Sequence, residues 1–533
     1  MKKFLLSAVA AATAVTMSAE LTQVGKIQVN NPFNEEEIIY NAPVAIDNDG
    51  ELIASGAFNR DISIDFTKLS NIGNSAYLVK SNRSTNYEAW AVGIIGSASV
   101  TKIVTDTDNN IYVAGQYADE VTFGTTSGEE IVIEGMMLDG AATVEQNSAF
   151  IAKYNKDGQL LAVRSFVPQI QADLLPLIDD WEAFPIYMYF DGEVRFQICD
   201  ICTVGDRLYV ATSYNGVTKI DDLTLDASYV NYDGWMYCDN RSAAIFSLDS
   251  ELADATLVDQ ISSTVNNGDY TENTYEVWNA RFDVVGSDMV VAYTGIGELN
   301  YNGSVIELAD APIFIFSSFK DGQFVNKKIV PTADSMINSF NSVVGVKIVG
   351  DNAYAVGNKY TDYLDGEETA YKNEAFVATI PSLDVNNIEL TTAELTYYDA
   401  LYYQLTSAAF TEAGPIYMTS LSYWQSADDV HKKGELAGNG DTFVFNSGSI
   451  ANDLGLNTNT AANNNYVAFS SVDASLVNFW ISTYDAAGID DITVDDSNAP
   501  VEYFNLQGVK VVNPENGLYI IRQGNTTTKQ IIR

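Results

Sequence analysis

One short pattern recurs along this chain and limits what it can fold into. Its fullest copies are Leu52-Ile53-Ala54-Ser55-Gly56-Ala57-Phe58, Ile111-Tyr112-Val113-Ala114-Gly115-Gln116-Tyr117 and Leu208-Tyr209-Val210-Ala211-Thr212-Ser213-Tyr214. Shorter copies start at Met289, Ala353, Ile416 and Tyr466, which makes seven. A second kind of run alternates with the first: Tyr77-Leu78-Val79-Lys80, Phe150-Ile151-Ala152-Lys153, Ala244-Ile245-Phe246-Ser247, Phe314-Ile315-Phe316-Ser317, Phe376-Val377-Ala378-Thr379 and Phe443-Val444-Phe445-Asn446. Both kinds are short, rich in β-branched and aromatic residues, and bounded by Asp, Asn and Gly, as strands bounded by turns are. Asn155-Lys156-Asp157-Gly158-Gln159 and Phe319-Lys320-Asp321-Gly322-Gln323 end two of the runs, and Asp-Gly between apolar runs signals a hairpin.

A unit of about four such strands cannot bury both its faces alone, whereas radial stacking of several units can. The expected fold is therefore all-β: a β-propeller over residues 20–485, with seven blades favoured and six or eight as alternatives. A bent sandwich or a β-helix would also supply many strands, but neither accounts for the alternation of two segment types. The repeat anchors at 53, 112, 209, 290, 354, 417 and 466 are spaced by 59, 97, 81, 64, 63 and 49 residues. A compact blade takes roughly 40–50, so the surplus must be loops.

The two ends differ from the middle. Lys2 and Lys3, the apolar stretch from Phe4 to about Val15 and a small-residue region ending near Ala19 form the pattern of a secretory signal peptide, residues 1–19. No later apolar stretch is long enough to predict a membrane span. Residues 486–499, with Asp490, Asp491, Asp495 and Asp496, read as an acidic linker. Residues 500–533 carry two short apolar runs separated by Pro-Glu-Asn-Gly and read as a separate small β unit. The other reading makes them one more structural unit capping the propeller.

Across 533 residues, 71 Asp and Glu face 28 Lys and Arg, a formal charge of −43. Such a field repels nucleic acid and anionic lipid, so neither is expected as a partner. With 47% hydrophobic residues, the chain is folded and not an acidic tail. Catalytic constellations are scarce. There is one histidine, His431, in a polar loop, and there is no P-loop, G-x-S-x-G elbow or dinucleotide fingerprint. Cys199 and Cys202 form a lone CxxC. With only Cys238 and one distant histidine besides, a four-ligand zinc site is poorly supplied. The expectation is buried thiols or one incidental disulfide, with no cofactor and no metal. Acidic turns such as Asp47-Asn48-Asp49-Gly50 and Asp106-Thr107-Asp108 offer oxygen ligands that suit Ca²⁺, but they lack the full Ca²⁺ loop, and plain hairpin turns are the other reading. Paired-carboxylate chemistry of the glycosidase kind stays open, because many acids are on offer.

Two inserts occupy the longest gaps. One contains Trp181, Tyr187 and Tyr189; the other contains Tyr229, Tyr232, Trp235 and Tyr237. Aromatic faces interleaved with Asp and Asn suit a sugar-binding surface. The plainer reading is that these rings pack the loops onto the scaffold.

The pairing of a turn and Ile-Tyr-Val-Ala-Gly-x-Tyr with Ala-Phe-Ile-Ala-Lys-Tyr-x-x-Asp-Gly near 106–166 resembles the bacterial secreted β-propeller repeat family. That resemblance implies a fold and an extracellular setting but no single activity. Tyr503-Phe504-Asn505-Leu506-Gln507-Gly508, then Asn516-Gly517-Leu518-Tyr519-Ile520-Ile521-Arg522, then Lys529, resemble the C-terminal sorting domain of the type IX secretion system of Bacteroidetes. The resemblance implies a small β-sandwich read by the outer-membrane secretion machinery, with Tyr503, Gly508, Gly517, Leu518, Tyr519 and Lys529 as its motif. The expected protein is exported, secreted or held at the cell surface, and binds a protein or glycan. A secreted hydrolase or lyase using paired carboxylates and a structural surface component are the alternatives.

Overall fold

The computed structural model describes residues 21–30, 32, 41–71, 73–135, 146–169, 194–227, 230–232, 235–237, 241–263, 276–306, 311–332, 341–365, 368–392, 403–412, 414–422, 432–438, 441–443, 459–463, 465–473, 476–484, 501–504, 510–511, 517–523 and 526–532. They are almost wholly strand and turn, and no α-helix occurs among them. The chain divides into two compact units, residues 1–484 and 485–533.

Seven four-stranded antiparallel sheets can be traced in the first unit. Sheet one holds Val44–Ile46, Leu52–Phe58, Ser75–Asn82 and the start of Tyr87–Thr105; the rest of that long strand opens sheet two, followed by Ile111–Gly124, Gln146–Tyr154 and Leu160–Phe166. Sheet three runs Val194–Val204, Arg207–Tyr214, Ser242–Leu248 and Thr256–Ser263. Sheet four runs Glu276–Val285, Asp288–Ile296, Ile313–Lys320 and Gln323–Pro331. Sheet five runs Ser342–Val349, Asn352–Asp365, Glu368–Pro381 and Glu389–Thr392. Sheet six runs Tyr403–Thr411, Gly414–Ser422, Lys432–Gly438 and Asp441–Phe443. Sheet seven runs Thr460–Ala462, Tyr466–Asp473 and Leu476–Tyr484, and its fourth strand is Leu21–Asn30 from the start of the chain.

The seven copies of the first sequence pattern are the second strands of these seven sheets. Their near-continuous apolarity has a structural cause: both faces are covered. In Leu52–Phe58, Leu52 and Ala54 pack toward sheet seven while Ile53 packs toward sheet two. In Ile111–Gly124, Ile111 and Val113 face sheet one and Tyr112 and Ala114 face sheet three. The glycines of the pattern at 115 and 357 have a steric cause. Gly115 and Gly357 lie opposite Phe150 and Phe376 in register, and a Cβ on Gly357 would stand 2.7 Å from the Phe376 ring and 2.5 Å from the Ser342 carbonyl.

One expectation needs correcting. The third strand of sheet six is Lys432–Gly438, not the run beginning at Phe443, which lies in the fourth strand; 444–446 fall outside the described residues. Lys-Lys-Gly-Glu-Leu-Ala-Gly has little strand propensity, and pairing with Gly414–Ser422 sets its conformation. The shared Lys-Asp-Gly-Gln sequence also makes two different turns. At 320–323, Asp321 and Gly322 both take positive φ in a two-residue turn. At 155–159 only Gly158 does, because the Asn155 side chain accepts the Asp157 and Gln159 N–H groups at 3.0 and 2.9 Å. Phe319 offers no such acceptor.

Apolar clusters lie between successive sheets from one to six, and one of them joins sheet seven to sheet one through Ile27, Val29, Phe479 and Ile481 against Leu52, Ala54, Tyr77 and Val79. The innermost strands also touch in succession, sheet seven's with sheet one's included. Every one of these seven junctions carries a hydrogen bond made by a side chain, as donor or acceptor. Asn459 Nδ2 donates to Asn41 Oδ1 (3.2 Å) and Asn41 Nδ2 to the Val100 carbonyl (2.9 Å). Thr203 Oγ1 donates to the Thr105 carbonyl (2.9 Å), Ser213 Oγ to that of Val277 (2.6 Å) and Asn279 Nδ2 to that of Val343 (2.7 Å). Asn358 bonds both backbone groups of Leu405, at 2.8 and 2.9 Å, and the Thr460 N–H donates to Ser407 Oγ (3.1 Å).

In the second unit the described strands form one four-stranded sheet in the order Lys510–Val511, Val501–Phe504, Gly517–Gln523, Thr526–Ile532. Leu518 to Ile521 do lie in a central strand, as their apolar run implies. The second layer of a sandwich is not seen among the described residues.

Deleting Leu21–Asn30 should be costly. It removes Ile27 and Val29, 1% and 0% exposed, each worth about 1.5–3 kcal/mol of burial, and bares the edge of Leu476–Tyr484. The expected outcome is a lower urea midpoint and concentration-dependent light scattering; a midpoint equal to that of the intact protein would contradict this account of the first strand.

Candidate functional site

The innermost strands share a local irregularity that shapes the middle of the first unit. In sheets two to six the register against the second strand slips between Val100 and Lys102, Ile198 and Asp200, Val277 and Asn279, Val343 and Gly345, and Leu405 and Ser407, with a second slip in sheet two between Gly96 and Ser97. One extra residue reverses the in–out alternation beyond it. Phe196 and Ile198 therefore share a face with Ile201, and Val343 shares one with Val346 and Ile348. The reversal sends Lys102, Asp200, Cys202, Asp283 and Lys347 to the complementary faces.

These residues line a cavity of about 320 Å³. All seven innermost strands contribute to its wall, from Val44–Ile46 to Thr460–Ala462. Lys102 Nζ lies 2.9 Å from Asp200 Oδ1, and Lys347 Nζ lies 2.9 Å from Asp283 Oδ1. The two partners are placed unequally. The lysine side chains are 40% and 46% exposed, the aspartates 7% and 3%. Asp283 Oδ2 accepts the Ile348 N–H at 2.9 Å, and the Cys202 thiol donates to Oδ1 at 3.4 Å. Burial works against the Lys347 charge, but the Asp283 carboxylate outweighs it and holds the ammonium above the ordinary lysine range. The Cys202 thiol is pushed up to about 12 by burial and by Asp283, and burial raises Cys199 as well. Both cysteines are free thiols, so neither is a thiolate nucleophile near neutral pH.

The aromatic candidates lie elsewhere. Trp181, Tyr187, Tyr189 and Tyr229 are outside the described residues. Tyr232 and Trp235 are cross-strand partners in the hairpin of Val230–Tyr232 with Trp235–Tyr237, where Tyr237 pairs with Val230. This hairpin is inserted between the second and third strands of sheet three. Gln169, the last described residue before the other insert, exchanges two backbone hydrogen bonds with Val217 (2.7 and 2.8 Å), which leads out of the second strand of that same sheet. Both inserts thus leave sheet three at one end. The charged cavity is built from residues nearer the opposite end, where each innermost strand turns into the second.

Of the sorting-motif residues, Tyr503 is half-buried and lies opposite Ile521 and Val511. Gly517, Leu518 and Tyr519 sit on the central strand, Lys529 pairs with Ile520, and Gly508 is outside the described residues. His431 and Cys238 are outside them too. Among the described residues no group of three or more His, Cys, Asp or Glu is placed to hold a metal, and no helix is long and apolar enough to cross a membrane. The acidic turns use their carboxylates on backbone: Asp47 Oδ1 accepts the Asp49 and Glu51 N–H groups (3.0 and 2.8 Å), and Asp106 Oδ1 those of Asp108 and Asn110 (2.9 and 2.8 Å).

A further carboxylate escaped sequence reading. Asp259, between sheets three and four, accepts the hydroxyls of Tyr293 (2.7 Å) and Tyr301 (2.9 Å) through one oxygen. Burial raises its pKa, partly offset by these two donors.

No protein-family model and no curated protein matches the chain. Among solved structures, a protein of unknown function from Dyadobacter fermentans DSM 18053 is 8% identical, covering 87% of this chain and 99% of its own (TM-score 0.36). An α-L-arabinofuranosidase from Fusarium graminearum is 9% identical, covering 75% and 92% (TM-score 0.35). Trypanosoma rangeli sialidase is 8% identical, covering 86% and 59% (TM-score 0.34). At these scores the likenesses carry no argument about ligand or chemistry.

The raised Asp259 pKa has a definite sign. The folded state holds that proton more tightly than the unfolded state, so the stabilisation is present below the unfolded carboxylate pKa and is lost as pH rises through the folded one. Between about pH 4 and pH 7, Asp259→Asn should therefore gain melting temperature relative to wild type as pH increases. A difference that stays flat or falls across that range would show that Asp259 is not held protonated by the fold.

Proposed function

We propose that this chain is an exported, seven-bladed β-propeller that binds a protein or glycan at the cell surface or outside the cell, with the C-terminal unit acting in export through the outer-membrane secretion machinery. The propeller reading is supported by the succession of contacts from sheet one through sheet seven and back to sheet one, and by a cavity to which every innermost strand contributes. Binding is favoured over hydrolysis by one observation. The two carboxylates of that cavity are buried and each is already neutralised by a lysine. A glycosidase needs one carboxyl free to donate a proton and another free to attack or activate water. Here Asp283 also accepts a backbone N–H on its second oxygen, so both of its oxygens already have partners.

Purified residues 20–533 should retain oligosaccharides or surface proteins from a bacterial-glycan and protein panel without releasing new reducing ends. Turnover that disappears on mutating an acidic residue would replace this reading with the hydrolase.

Removal of 499–533 tests the export role. The two units are separately compact, and blade contacts between neighbours carry such a fold. Truncated protein should melt at nearly the same temperature as the full chain, yet accumulate in the periplasm of the native host. Unfolding on truncation would make the tail part of the core, and normal surface delivery would exclude a sorting role.

A further inference from the structure

We propose that the central cavity of the first unit is a binding site for a small carboxylate-bearing ligand, held by the ammonium groups of Lys102 and Lys347. This rests on the binding reading above and names the ligand class for its central cavity. The arrangement is asymmetric in a way that a purely structural ion pair does not need. In each pair the aspartate side chain is set back into the wall, 7% and 3% exposed, while the lysine side chain is 40% and 46% exposed and lines the cavity. The cavity presents cations although the chain as a whole carries −43. An ammonium has three donors. Each lysine places one against its aspartate, at 2.9 Å, and that contact fixes the head group's position before any ligand arrives.

Such preorganisation lowers the entropy lost when a ligand is bound. The pairs come from four neighbouring sheets: Lys102 from sheet two, Asp200 from three, Asp283 from four and Lys347 from five. Asp200 is close enough to add to the field that keeps Lys347 charged, so the two pairs form one electrostatic group. The volume, about 320 Å³, falls at the lower end of small-ligand sites. It fits one acidic sugar residue or a short polycarboxylate, and not a polymer or a folded partner. Phe410, half-buried in the same wall, offers apolar surface to the cavity.

Two carboxylate sources share this chemistry, and the test separates them. The full mature chain is titrated by calorimetry with galacturonate, with citrate, and with galactose as the neutral control. Two double variants, Lys102→Met with Asp200→Asn and Lys347→Met with Asp283→Asn, remove each ion pair without leaving an unpaired buried charge. The expected result is one saturable site for galacturonate or citrate with a Kd of about 1 mM or tighter. Each double variant should weaken it at least tenfold while leaving the melting temperature within a few degrees. Galacturonate alone would mark an acidic-sugar site, and citrate alone a polycarboxylate site.

No saturable binding of either anion overturns the proposal, as does unchanged affinity in variants that remain folded. If a double variant does not fold, Lys347→Gln and Lys102→Gln singly carry the same expectation of weakened anion binding. Glycan or protein binding without carboxylate binding would defeat this inference alone, whereas glycan turnover would defeat the binding reading of the previous section.

Discussion

A β-sheet that is apolar on both faces has to find a neighbour on each side, and most of this molecule follows from that requirement. Second strands such as Leu52–Phe58 carry core residues on alternate faces, so their sheets need a neighbour on each side. Sheet seven meets that requirement for sheet one, packing on it through Ile27, Val29, Phe479 and Ile481. Polar side chains mark the same junctions. Asn41, Asn279 and Asn358 spend their amides on backbone groups of the next sheet, where apolar packing alone would leave the angle between sheets loosely specified.

Much of this was legible in the sequence, because repetition amplifies a weak strand signal. Seven copies of one pattern mark seven second strands, and the glycines at 115 and 357 are explained by the aromatic rings opposite them. What was not legible has identifiable physical reasons. Lys432–Gly438 has no strand propensity of its own and takes its form from its partner. The innermost strands match no repeated motif because their common feature is an extra residue, and the residue that fills it differs each time: Thr101, Cys199, Trp278, Val344 and Thr406.

The same extra residue hid the charged cavity. Without it, alternation would assign Asp200 and Lys347 to the wrong faces, and neither pair spans a recognisable spacing: Lys102 and Asp200, like Asp283 and Lys347, meet only through tertiary structure. The aromatic inserts are conspicuous in the sequence, while the charged residues lining the cavity are inconspicuous single lysines and aspartates. Asp259 was hidden because its tyrosine donors are distant in the chain: Tyr293 comes from sheet four, and Tyr301 from Leu299–Tyr301, which pairs beside Thr256–Ser263.

The position of Leu21–Asn30 has a kinetic consequence. Leu21 lies opposite Tyr484, so the pairing that completes sheet seven joins residues 463 apart in the chain. Such a contact has one of the largest loop-closure separations the unit can have, and it cannot form until Leu476–Tyr484 is available. Sheets one to six can assemble from local hairpins as they emerge, but the first strand must wait unpaired, with Ile27 and Val29 uncovered, until the last hairpin is made. The chain therefore remains open-ended through nearly the whole of its synthesis.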